Sequence, residues 1–214
     1  MTSEITFIIT SVIYFPDKKL SYSDVRSAFN PEQRSRQTLQ TIDSIRKKIP
    51  SANIILIEMG TQKNIDPEII KSVNKFIYTG NHLFVRGAVS SKHKGLGEAA
   101  GLLTASKKLK GNNGLYFKIS GRYFLNDEFD TSQWQGNNFF FKKYVDGIST
   151  RLYAFHSSLF DVWIRAIRKS LYHLYLGKSI EDVLPLYINK VLIKEMNSLG
   201  VSGMIAPSGE YFSE

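Results

Sequence analysis

The 214-residue sequence contains no cysteine, which excludes disulfides, thiol nucleophiles and thiolate-held metals together. It also lacks any apolar run approaching the roughly 18–20 residues that a bilayer crossing needs. The most apolar stretch, Ile5 to Phe15, is interrupted by Thr6, Thr10 and Ser11, and no basic leader precedes it, so the expected location is cytoplasmic. The four histidines show neither His-x-x-x-His nor Glu-x-x-His spacing, which leaves no case for a histidine metal site. There is no Gly-x-Ser-x-Gly elbow, so an esterase triad has no support, and no complete Gly-x-x-x-x-Gly-Lys-Ser/Thr phosphate loop.

What is present is basic. Lys and Arg total 28 against 19 Asp and Glu, a net charge of +9, which suits a nucleic acid, an anionic membrane surface or a phosphate-bearing small ligand. The charge is dispersed, with no run longer than a few residues such as Arg46-Lys47-Lys48. That dispersal argues against a dedicated nucleic-acid arm. With 43% hydrophobic and 22% charged residues, the composition is that of a globular chain able to bury its own core. A single domain over residues 1–214 is expected.

Residues 5–15 are β-branched, aromatic and almost wholly apolar, the pattern of a strand covered on both faces. A long polar loop follows over 16–31. Asn30 and Pro31 then open a helix to about Lys48, with Leu39, Ile42, Ile45 and Ile49 as its core stripe. Residues 53–58 read as a second buried strand, completing a βαβ unit. A short helix from Asp66-Pro67, a strand over 75–78, a Gly- and Ser-dotted loop over 80–97, a helix over 98–108 and a strand over 115–119 continue the alternation. The second half reads as short mixed strands at 139–144 and 151–155, a helix over 158–176 and another over 179–199. The Gly-rich tail from Ser202 is expected to be irregular.

Open α/β sheets bind ligands beyond the carboxyl ends of their strands. Three segments should meet there: the loop after the first strand, the stretch before Glu98, and the strand end Ser120-Gly121-Arg122. They bring Arg26, Arg86, Lys92, His93, Lys94 and Arg122, a cationic mouth suited to a diphosphate. Gly95 and Gly97, placed just before a helix start, would let the backbone approach an anion, although ordinary turn and cap chemistry also explains them.

The order of elements resembles the GT-A type of glycosyltransferase. Three stretches, residues 26–58, Lys94-Gly95-Leu96-Gly97-Glu98-Ala99 and 117–127, are similar to small glycosyltransferase-like proteins from surface-polysaccharide clusters and large DNA viruses. The resemblance implies an α/β, Rossmann-like fold with a mostly parallel central sheet flanked by helices. Residues 1–125 would be its nucleotide-binding half and 126–214 a smaller mixed acceptor-side half. It further implies transfer of a sugar from a nucleotide-diphosphate donor to a polysaccharide or glycoprotein glycan.

The chain departs from the family at the middle strand, where many members carry a metal-holding Asp-x-Asp and this one reads Ser120-Gly121-Arg122. Arg and Lys can offset diphosphate charge in place of an ion. The expectation is therefore no metal and no cofactor beyond the donor substrate, with Mn or Mg as the alternative. Thr10, Ser11 and Arg26 are expected around the nucleotide, and Lys94 and Arg122, with Gly95, Gly97, Ser120 and Gly121, near the diphosphate. Tyr123 or Trp134 would stack on a ring. Glu181 or Asp182 is the first choice of base, although Ser179-x-x-Asp182 also fits a helix cap; Asp127, Glu128 and His156 are the alternatives. Competing readings are a nucleic-acid-binding domain and an inactive sugar-nucleotide-binding subunit. Peripheral contact with an anionic membrane fits the charge.

Overall fold

The computed structural model describes residues 4–111, 113–145 and 147–214. The first half alternates strand and helix: β1 (Glu4–Ser11), α1 (Pro31–Lys48), β2 (Asn53–Glu58), α2 (Pro67–Ser72), β3 (Lys75–Tyr78), α3 (Leu83–Val89), α4 (Lys94–Leu109) and β4 (Gly114–Ser120). Then follow β5 (Tyr123–Leu125), β6 (Phe139–Phe141), β7 (Lys143–Tyr144), β8 (Gly147–Ile148), β9 (Leu152–His156), α5 (Phe160–Tyr175) and α6 (Ile180–Val183). The chain closes with β10 (Ile193–Glu195), β11 (Val201–Met204) and β12 (Tyr211–Ser213).

Seven strands form the main sheet in the order β10-β6-β9-β4-β1-β2-β3. β3, β2, β1 and β4 run parallel, while β9 is antiparallel to both β4 and β6. The side-chain period of two sends alternate residues to opposite faces, and both faces are buried. Phe7 and Ile9 of β1, with Phe117 and Ile119 of β4, meet Ile42 and Ile45 of α1. Ile8, Tyr116, Tyr153 and Phe155 meet α4 and α5 on the other side. The rings of Phe7 and Phe117 stack at 4.8 Å between centroids. Each such side chain, taken out of water, contributes roughly 1.5–3 kcal/mol.

Helix α1 begins as its sequence dictates. Asn30 Oδ1 accepts from the Gln33 amide at 2.9 Å and Gln33 Oε1 accepts from the Asn30 amide at 2.9 Å, a reciprocal cap with Pro31 at the first helical position. Asp66 caps α2 with a single bond, accepting from the Glu68 amide at 2.8 Å.

The structure corrects several expectations. The first strand ends at Ser11 rather than Phe15, and α3 occupies part of the expected 80–97 loop. Helix α4 starts at Lys94, so Gly95 and Gly97 lie inside its first turns instead of before it. Tertiary packing offsets their poor helix propensity. A Cβ at Gly97 would come within 3.2 Å of the Val89 backbone, and one at Gly101 would collide with the Met59 thioether.

The expected helix over 179–199 is only the short α6, two 3-10 turns (Leu184–Tyr187 and Lys190–Leu192) and β10. Pro185 takes one amide out of the ladder, and Asn189 restarts the chain by accepting from the Val191 amide at 3.1 Å. The tail is not irregular: β11 pairs with β12 and with β5 to make a three-stranded antiparallel sheet. Trp134 is 1% exposed and packs on Phe117, Phe129 and Phe140, so it belongs to the core and not to a stacking platform. No helix among the described residues is long and apolar enough to cross a membrane.

Candidate functional site

The parallel strands β1 and β4 end side by side, and Gly121 continues the pairing by donating from its amide to the Thr10 carbonyl at 2.9 Å. At these carboxyl ends opens a cleft of about 390 Å³. Its first wall comes from Lys94, Gly95 and Glu98 of α4 together with Ser120, Arg122 and Tyr123. The second comes from Ser149, Thr150 and Arg151, from Gly177 to Glu181, and from tail residues 205–207. A smaller cavity of about 70 Å³ continues beneath it, reached past Lys94, Glu98 and Arg122 and lined by Thr10, Ser11, Arg26 and Arg34.

Cations dominate the first wall. Arg34, on α1, is only 8% exposed and donates from Nη2 to the Val12 carbonyl at 3.0 Å. Burial, with Arg122 nearby, brings its guanidinium down to about 9, against opposing effects of Glu58 and Tyr123. Burial, then Arg122 and Arg34, also push the Lys94 ammonium well below the usual lysine value, while Glu98 and Glu181 pull it back. Among the described residues neither Lys94 nor Arg122 forms an ion pair with a carboxylate; Arg122 lies 4.9 Å from the Tyr123 ring centroid. Proteins rarely keep charges this close together without partners. An anion entering here would relieve the repulsion between them.

The acids nearby are already engaged to different degrees. Glu98 pairs with Lys118, a lysine 1% exposed in the middle of β4 that also donates to the Thr150 carbonyl at 3.1 Å. Glu214 holds Arg151 at 2.6 Å and accepts from Tyr144 and Ser149. Glu58, at the end of β2, accepts from the Ile13 and Gly60 amides at 3.0 and 2.7 Å. Burial raises its carboxyl above the usual range, although the Ile13 amide, the Ser11 hydroxyl, the Gly60 amide and Arg34 pull it down. Glu181 is half-buried, lines the cleft and, among the described residues, accepts from Thr150 Oγ1 alone, at 2.6 Å.

The sequence-predicted residues fall into groups. Lys94, Gly95, Ser120, Arg122, Tyr123 and Glu181 line the cleft; Thr10, Ser11, Arg26 and Gly97 line the cavity beneath. Arg26 is spent on structure: Nε donates to the Lys18 carbonyl at 2.8 Å, Nη1 to Val89 at 2.9 Å and Nη2 to Ser91, fastening the first-strand loop to the α3–α4 link. Gly121 is needed for packing, since a Cβ there would lie 3.1 Å from Thr38 Oγ1. Tyr123 meets the Phe212 ring edge-on at 5.0 Å and is buried.

Asp182 is exposed, and its amide donates to Ser179 Oγ at 3.2 Å as a helix cap. Asp127 is not brought to the cleft: its side chain is wholly exposed and pairs with Lys48 at 3.0 Å. Glu128 likewise stands apart, accepting from Ser198 Oγ at 3.1 Å. His156 caps its own turn, with Nδ1 2.8 Å from Ser158 Oγ. His93 lines the cleft, while Arg86 and Lys92 are exposed outside it.

Sequence reasoning missed Arg34, Lys118, Glu98 and Thr150. Lys118 had a signal, a charge in the middle of an otherwise apolar strand; Arg34 had none, since its helix reads as surface at that turn. Among the described residues no three His, Cys, Asp or Glu side chains gather as a metal cluster.

No protein-family model matches the sequence, and no curated protein matches it. Solved structures do. The fold is similar to that of 4-diphosphocytidyl-2C-methyl-D-erythritol synthase from Anaerococcus prevotii, at 14% identity and a TM-score of 0.51, covering 91% of this chain and 86% of that one. It is also similar to a glycosyltransferase involved in the glycosylation of the major capsid of PBCV-1, at 10% identity and a TM-score of 0.50, covering 92% of this chain and 83% of that one. The chain thus has the α/β fold of nucleotide-using transferases, GT-A- and nucleotidyltransferase-like, with a mostly parallel seven-stranded sheet flanked by helices.

Proposed function

We propose that this chain is a glycosyltransferase that moves a sugar from a nucleoside-diphosphate donor to a hydroxyl of a polysaccharide or glycoprotein glycan, without a bound metal. The observation that carries this reading is the cation group of Lys94, Arg122 and Arg34, without an ion-paired carboxylate among the described residues, at the ends of β1 and β4. The donor would occupy the cleft of about 390 Å³, with its nucleoside toward Thr10 and Ser11 and its diphosphate between Lys94 and Arg122. Glu181, across the cleft, takes the proton of the acceptor hydroxyl. The acceptor oxygen then bonds to the anomeric carbon as that carbon's bond to the phosphate oxygen breaks. The electron pair leaves with the nucleoside diphosphate, whose charge Lys94 and Arg122 stabilise.

The loop over residues 12–30 contains no glycine, so it offers side chains rather than closely approaching amides to a phosphate chain. That favours a diphosphate donor over a nucleoside triphosphate. The test is an incubation in EDTA with UDP-, GDP- and dTDP-sugars and a panel of glycan acceptors. Acceptor-dependent release of one nucleoside diphosphate is expected. Pyrophosphate release from a nucleoside triphosphate and a sugar phosphate would instead make the chain a nucleotidyltransferase.

A further inference from the structure

Helix α5 buries one face and leaves the other unpartnered. Trp163, Ile164, Ala166, Ile167, Ser170 and Leu174 point into the core. At 3.6 residues per turn, Arg165, Arg168, Lys169, Tyr172, Tyr175 and Leu176 share the opposite face, and all are exposed. The face is graded along its length. Its first turn carries Asp161, paired with Lys110 at 2.8 Å. Its middle carries Arg165 and Arg168, which have no ion pair among the described residues. Its last turn is aromatic and aliphatic: Tyr172 is 67% exposed, Tyr175 69% and Leu176 57%. Leu186, 69% exposed, adds to it from the 3-10 turn that packs on α5.

Large apolar side chains left in water beside uncompensated arginines are not what a simple solvated helix face carries. We propose that this face docks the protein on an anionic bilayer. Charge complementarity selects the partner: arginines and a lysine meet lipid phosphates, while tyrosine and leucine tips enter the interfacial layer, which accommodates rings with an apolar body and a polar end. A nucleic acid would satisfy the arginines but would not bury the leucines.

The location gives the contact a use. Immediately after Leu176 the chain runs through Gly177, Lys178 and Ser179, which line the cleft, so docking brings the mouth of the cleft to the bilayer surface. The surface stands on its own observations; that it presents a lipid-borne acceptor to the cleft rests on the glycosyl-transfer reading.

The test is flotation of the full chain with vesicles of phosphatidylcholine alone or mixed with phosphatidylglycerol, alongside titration with single-stranded RNA. The proposal expects binding to the anionic vesicles only. The R165E/R168E pair should weaken that binding at least about tenfold, and Tyr175→Ser with Leu176→Ser should weaken it at fixed charge. A Tyr172→Trp probe should shift its emission to the blue on anionic vesicles. Unchanged melting temperatures and unchanged nucleotide-induced stabilisation show that the variants keep fold and cleft. Absence of vesicle binding, equal binding to neutral vesicles, indifference to R165E/R168E, or tighter binding to RNA would each overturn the docking surface. None of these outcomes touches donor binding, so the surface and the reaction fail separately.

Discussion

The two walls of the cleft are built on different principles. The first wall stands on long elements, the eight residues of β1, the seven of β4 and the sixteen of α4, and carries Lys94 and Arg122, which form no ion pair among the described residues. The second stands on short ones, a four-residue helix and a loop, and its charges are mostly settled, with Arg151 on Glu214 and Glu181 on Thr150. Rigid elements can hold like charges close at a cost in stability, and that arrangement is preorganised for an anion. Glu181, half-exposed on this wall and accepting from the Thr150 hydroxyl at 2.6 Å, is the carboxylate that the proposed transfer would use as its base.

The largest effect expected from this contrast is on chemistry. Glu181→Gln keeps an oxygen for Thr150 but removes the base, so transfer should fall about 10²- to 10⁴-fold while donor affinity stays the same. Single-turnover kinetics beside nucleotide titration check both halves. Next comes Arg122→Ala, for which transfer should fall about 10²- to 10³-fold. Donor binding should weaken too, with little loss of melting temperature because the side chain rests on the Tyr123 ring and forms no ion pair among the described residues.

Lys94→Met should move function and stability in opposite directions. The Lys94 ammonium has its pKa lowered in the folded state, so between that lowered value and the ordinary lysine value the unfolded chain binds more protons. Stability of the wild type therefore rises with pH across that window, and charge on Lys94 costs stability below it. The variant should melt at a higher temperature at neutral pH, lose that slope and bind the donor more weakly. In the wild type, donor affinity should fall as pH rises through the window, because the ammonium is what the phosphate needs. The smallest effect is expected at Asp127→Asn, which should leave transfer unchanged, since its carboxylate pairs with Lys48 away from the cleft.

The contrast between the walls also decides what the sequence can reveal. Elements β1, α1, β2 and β3 are written in local terms: apolar runs, the Asn30-Pro31 start and the Pro50 stop. The cations at strand ends follow from the same pattern, which is why Lys94 and Arg122 are visible as candidates. Helix α4 extends through Gly95 and Gly97 because they pack closely, Gly97 against Val89 and Gly95 against Leu174 and Ile180, and no local rule registers those partners. Strands β11 and β12 form because β5 lies alongside β11, a pairing across about 80 residues of chain. Glu181 was legible only as one of several acids. Separating it from Asp127 required knowing that α6 faces the cleft and that Asp127 lies against α1.

The central claim is that Lys94 and Arg122 hold a nucleoside diphosphate without a metal. Its most direct test is calorimetric titration of the wild type and Arg122→Ala with UDP, GDP and dTDP, each in EDTA and in Mn²⁺. The account predicts that one nucleotide binds the wild type equally well in both conditions and binds Arg122→Ala at least about tenfold more weakly. Binding that appears only with Mn²⁺, or that ignores the loss of Arg122, would contradict it.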